Sequence, residues 1–98
     1  MPKLRDIVSD QEIATKIMKS NRDRSFNVPA HQAQPRLVEV NYLVQDADRT
    51  VWVAKDKPLL IKDKEWELHG DYWRIGRRSG PLASDWREIT YVDVRVWV

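Results

Sequence analysis

From Arg36 onward, apolar and polar side chains alternate with a period of two, in short runs punctuated by Asp, Gly or Pro. Such a pattern buries apolar side chains as β-strands, because a period of two gathers them on one face of a pleated ribbon and on no single face of a helix. Val38, Val40, Tyr42 and Val44 alternate with Leu37, Glu39, Asn41 and Leu43. Asp46-Ala47-Asp48 turns the chain into Thr50–Lys55, where Val51 and Val53 oppose Trp52. Pro58 interrupts it before Leu59-Leu60-Ile61, and Asp63-Lys64 turns it again. Trp66 and Leu68 alternate with Glu65 and Glu67, and His69-Gly70-Asp71 reads as a hairpin bend into Tyr72–Arg77. A loop at Ser79-Gly80-Pro81 and one helical turn at Ser84–Arg87 precede the longest strand, Glu88–Val98. Thr90, Val92, Val94, Val96 and Val98 line one of its sides.

Strands joined by short turns are mostly antiparallel neighbours. The expected fold is mainly β (α+β). It is a small antiparallel meander or Greek-key barrel-like sheet of about five to six strands, with one N-terminal helix. That helix is read at residues 9–20. Ser9 and Glu12 have capping-box spacing, Asp10 and Glu12 suit the positive helix start, and Lys16 and Lys19 suit the negative end. Ile13, Ala14, Ile17 and Met18 form its apolar stripe, with Asn21 as the left-handed residue that ends it. Residues 21–35, with Pro29, Pro35 and a lone Phe26, read as a long connection, either a tether or a binding loop. The sheet then occupies residues 36–98, and 98 residues suit a single domain with one core.

The chain has no cysteine, which excludes disulfides, thiolate metal sites and thiol nucleophiles. No run is apolar enough for a signal peptide or a membrane span, and a cytoplasmic location is expected. Net charge is +2, from 17 basic against 15 acidic residues, with no acidic or basic tail to select a strongly charged partner. No cofactor is implied.

Little in the chain points to catalysis. His31 and His69 are its only histidines, and neither stands at a recognisable spacing from a nucleophile or carboxylate. Glu65, Glu67 and His69 share one strand face at roughly 6.6 Å intervals, too spread for one ion, so they read as a solvated face and not a metal site. Gly76-Arg-Arg-Ser-Gly80 lacks the spacing and lysine of a phosphate loop.

The five tryptophans carry more information. Trp66 and Trp73 share phase with Leu68 and Ile75, which places them in the core. Trp52, Tyr72, Arg74, Tyr91, Arg95 and Trp97 fall in the opposite phase of their strands and define a second face. Aromatic residues with arginine are the composition of interaction hot spots. Two arrangements stay open. The helix stripe covers this second face and buries Trp52 and Trp97, or the face stays free to bind. In the second case the chain is a non-catalytic binding domain that engages another protein or its own copy. The alternative is a single-stranded nucleic-acid binder that stacks bases on the same aromatics, with Lys16, Lys19, Arg22, Arg24, Arg77 and Arg78 adding charge. A small enzyme would need a pocket converging on His31 or His69.

Overall fold

A computed structural model describes residues 2–24 and 36–97, with side chains for residues 2–20 and 36–97. A one-turn helix α1 (Leu4–Ile7) leads into α2 (Asp10–Arg24), followed by strands β1 (Leu37–Gln45), β2 (Thr50–Ala54), β3 (Leu59–Ile61), β4 (Glu65–Glu67), β5 (Tyr72–Arg77) and β6 (Thr90–Trp97). The fold is the mainly β, antiparallel one that the alternation implies. Four strands form one sheet in the order β5-β2-β1-β6, and β3 pairs with β4 in a separate hairpin.

The Ser9 hydroxyl accepts the Glu12 amide at 3.1 Å and starts α2. Only half of the expected box forms, because the Glu12 carboxylate pairs instead with Arg78 beyond β5. The helix also runs past Asn21 to Arg24. No Gly or Pro interrupts residues 21–24, so nothing local stops it. The rest of the expected connection, residues 25–35, lies outside the described residues, as does Val98.

α2 packs across β5 and β6, the two outer strands. Leu4, Val8, Ile13 and Ile17 are buried against Val38, Val40, Leu43, Val51, Val53, Trp73, Ile75, Val92, Val94 and Val96. The helix stripe is narrower than expected. Met18 is 44% exposed, since it stands about 100° around the helix from Ile17.

The alternation of β1 is also not continuous. Val40 pairs with Val94 and Tyr42 with Tyr91, two steps along β1 against three along β6. Past this shift Leu43, not Tyr42, joins the core beneath the helix. Trp66 is buried as expected, but apart from that core. Its amide donates to the Asp46 carboxylate at 2.7 Å, and its indole N–H donates to the carbonyls of Gln45 and Trp86 at 2.9 and 3.2 Å. One side chain thus anchors the β3–β4 hairpin to the end of β1. Trp66→Ala is expected to lower unfolding free energy by about 3–5 kcal/mol in denaturant titration, for a large buried aromatic.

The turn of that hairpin carries a local cost. Lys62 and Asp63 both have φ of 53°, and the Lys64 amide closes the turn on the Ile61 carbonyl at 3.1 Å. Two consecutive left-handed residues are the geometry of a two-residue hairpin loop that favours Asn-Gly. Neither Lys nor Asp prefers it. The double substitution Lys62→Asn with Asp63→Gly is expected to raise stability by roughly 0.5–1 kcal/mol, visible as a higher Tm.

Candidate functional site

The helix lies on the valine side of the sheet, so the arrangement in which it covers Trp52 and Trp97 is not the one adopted. Electrostatics give the reason. The aromatic side also carries Arg74, Glu39, Asp93 and Arg95, and a helix laid there would desolvate all four charges. The core residues of the valine side carry no charge, and the polar cost of covering them is confined to the Trp73 indole N–H, which is buried without a partner among the described residues.

The six residues of the expected face fall on one side of the sheet, in two groups at opposite edges. Trp52 on β2 stands opposite Arg74 on β5, with Tyr72 two register pairs along on the same face. Tyr91, Arg95 and Trp97 lie on β6, across β1. Tyr72, Tyr91 and Trp97 are 42, 69 and 68% exposed, and Trp52 is half-buried.

Tyr42 joins the two groups, and sequence periodicity alone put it in the wrong phase. Its ring lies 5.7 Å from that of Tyr91. Register pairs Tyr42 with Ala54, and Ala54 with Tyr72, so Tyr91, Tyr42, Ala54 and Tyr72 form a row across all four strands. The one hint in the sequence is that polar residues mark alternate positions up to Asn41 and then give way to the apolar run Tyr42-Leu43-Val44.

Trp52 is held in place by two contacts. Its ring meets Tyr72 edge-on at 5.9 Å, and its indole N–H donates to Asp46 at 2.9 Å. Asp46 thus accepts from Trp52 with one oxygen and from the Trp66 amide with the other. Burial pushes the Asp46 carboxyl above its ordinary value, and these two bonds oppose that shift. Asp48, two residues on, shifts the other way because it accepts the Thr50 amide at 2.9 Å.

The charged residues do not converge on the aromatics. Arg95 sits 3.3 Å from Asp93 and 3.8 Å from Glu39, so local acids offset its charge. Arg78 pairs with Glu12. Arg49, Arg77, Arg78 and Ser79 line a shallow open recess beside the β1–β2 turn. Lys16 and Lys19 are exposed on α2, on the other side of the sheet from the aromatics. Arg22 and Arg24 are in the last turn of α2, and their side chains are outside the described ones, as is His31. Glu65 and Glu67 are exposed on β4, and His69 is exposed past its end. Among the described residues no three His, Asp or Glu side chains gather as metal ligands, and no helix is long and apolar enough to cross a membrane.

Comparison with known protein families, curated proteins and solved structures finds no match to this chain.

Asp46→Asn removes one of two needed acceptors, since an amide has a single accepting oxygen. It is expected to lower stability by about 1–3 kcal/mol and to shift the Trp52 indole proton resonance. The pH dependence has a defined sign. A carboxyl whose value is raised by folding contributes stability at low pH, and loses that contribution as pH rises through its folded value. The deficit of Asp46→Asn relative to wild type should therefore be larger in acid than at neutral pH, measured by denaturant titration at both.

Proposed function

We propose that the protein is a non-catalytic binding domain that engages another protein through the sheet face opposite α2. One observation carries this reading. The helix satisfies the valine face and leaves Tyr42, Tyr72, Tyr91 and Trp97 in a band on the other side, with three of them more than 40% exposed. Exposed apolar area is unfavourable by roughly 25 cal/mol per Å², and a partner that covers the band removes that penalty. The band mixes rigid aromatic side chains with Arg74 and Arg95, the residue types that dominate interface energetics. Trp52, fixed by Asp46 and Tyr72, gives it a pre-ordered component and lowers the entropy lost on binding.

The nucleic-acid reading draws less support from the same geometry. Stacking platforms for single strands work beside unpaired cations that follow the phosphates. Here Arg95 faces Glu39 and Asp93, Arg78 is engaged by Glu12, and Lys16 and Lys19 lie across the sheet. Catalysis draws no support from His69, which is exposed beyond β4.

A photo-crosslinking amino acid placed at Tyr72, in cells expressing the full chain, tests the assignment. Protein adducts are expected at Tyr72 and few at Lys16 on the exposed side of α2. Nucleic-acid adducts at Tyr72, or equal protein adducts at both sites, would overturn it.

A further inference from the structure

The outer edge of β6 closes the four-stranded sheet on one side, and no described residue pairs with it. Edge strands that must stay solitary usually carry a proline, an inward-pointing charge, a bulge or a very short length. Of these β6 has only one register shift: it runs eight residues, Thr90–Trp97, as TYVDVRVW. Its alternation is unbroken, with Tyr91, Asp93, Arg95 and Trp97 exposed and Val92, Val94 and Val96 buried. The register shift against β1 falls within this strand, yet both of its faces keep their identity across it. The other edge strand, β5, is shorter, and a register shift interrupts it at Gly76, whose φ is 140°.

We propose that β6 pairs antiparallel with β6 of a second copy of the chain, with Val94 opposite Val94 at the twofold axis. This deepens the protein-binding reading and rests on it, naming the partner as the protein's own copy. The strand is self-complementary in that register. Asp93 faces Arg95 of the second copy, Tyr91 faces its Trp97, and Val92 faces its Val96. By symmetry each pair occurs twice. Neighbouring registers fail. Centring the pair one residue earlier sets Asp93 against Asp93, and one residue later sets Arg95 against Arg95, and like charges directly opposite are destabilising. A centre between two residues would put one copy's aromatic side against the other's valine side. Centring on Val92 or Val96 avoids both faults but pairs only five or three residues of the strand, against seven for Val94. Charge, face and overlap together select one alignment.

The consequence is a continuous sheet running through both copies. A twofold axis perpendicular to the sheet keeps the two aromatic sides on the same surface, so the bands of the two copies join. Trp97, the most distal aromatic of β6, moves from the sheet edge to the interior of that joint surface, beside Tyr91 of the second copy. Arg95 rests against Asp93 of its own strand at 3.3 Å and Glu39 of β1 at 3.8 Å, both exposed pairs, so pairing would bring the second copy's Asp93 in as an exchanged or added partner.

Sedimentation equilibrium on the full chain, from micromolar to near-millimolar concentration, tests the pairing. The wild type should reach twice its 11.6 kDa mass. Arg95→Asp turns both symmetric charge pairs repulsive and should weaken association by at least about tenfold. Adding Asp93→Arg to Arg95→Asp should restore it. Both positions of change are solvent-exposed, so a retained cooperative melting transition in each variant is the folding control. The chain has no cysteine of its own, which allows a register test. Asp93→Cys mixed with Arg95→Cys should give a disulfide-linked dimer under mild oxidation, and more of it than either variant alone. A wild type that stays monomeric throughout, or a dimer indifferent to Arg95→Asp with no preferential cross-link in the mixture, would refute β6 pairing. A monomer that still gives protein adducts at Tyr72 removes the pairing alone, whereas loss of those adducts as well removes the binding face.

Discussion

Burial of a continuous aliphatic face beneath α2 organises everything else in this molecule. Every strand of the four-stranded sheet contributes to that face: Val38, Val40 and Leu43 from β1, Val51 and Val53 from β2, Trp73 and Ile75 from β5, and Val92, Val94 and Val96 from β6. Among its described side chains α2 returns only Ile13 and Ile17 as fully buried, and Leu4 and Val8 extend the cover along the preceding segment. A helix with so narrow a stripe is not stable in water by itself and depends on the sheet. The dependence is mutual, because an open sheet with that much exposed valine would be insoluble. Once the helix is committed to one side, no further element of comparable size among the described residues covers the opposite side.

A second group of contacts ties the ends of the strands together over long sequence separations. Asp46, just after β1, accepts from Trp52 and from Trp66, and its own amide and carbonyl close the β1–β2 turn on Thr50 and Arg49. Gln45 beside it is fully buried, and its side-chain oxygen accepts the Ala83 amide at 3.0 Å. The segment after Ala83 reaches the start of the chain, where the Ser84 amide donates to the Pro2 carbonyl and Asp85 accepts the Leu4 amide, both at 2.9 Å. Buried polar groups must find partners, and these do so with segments distant in sequence. The result holds the β3–β4 hairpin, the loop before β6 and the N-terminal segment in one arrangement. It also fixes the ring of Trp52 on the aromatic side, so the packing of the loops sets part of the candidate binding surface.

The two sheet edges differ in character. β5 turns at Gly76, where a φ of 140° accommodates the register shift and an added side chain would meet open space but not a favourable backbone. β6 presents a longer strand whose exposed side chains are two aromatics flanking two opposite charges. An asymmetry of this kind leaves β6 the better template for a further strand.

Strand positions were legible because a period of two is a local property: β3 and β5 match the expected spans, and the other strands differ only at their ends. The capping serine and the burial of Trp66 and Trp73 were legible for the same reason, since each follows from immediate neighbours. The phase of Tyr42 was not, because the shift that reverses it arises from how β1 pairs with β6, some fifty residues away in sequence. Nor was the partner of Glu12, whose carboxylate is local to Ser9 by spacing but meets Arg78 in space. Above all, the sequence by itself determined that two chemically distinct sheet faces exist, one aliphatic and one aromatic with arginine. Only the tertiary structure decided which of them the helix covers. Periodicity records which side chains share a face, but the choice between faces is a comparison of desolvation costs, and burying Arg74, Glu39, Asp93 and Arg95 would cost more than burying valine.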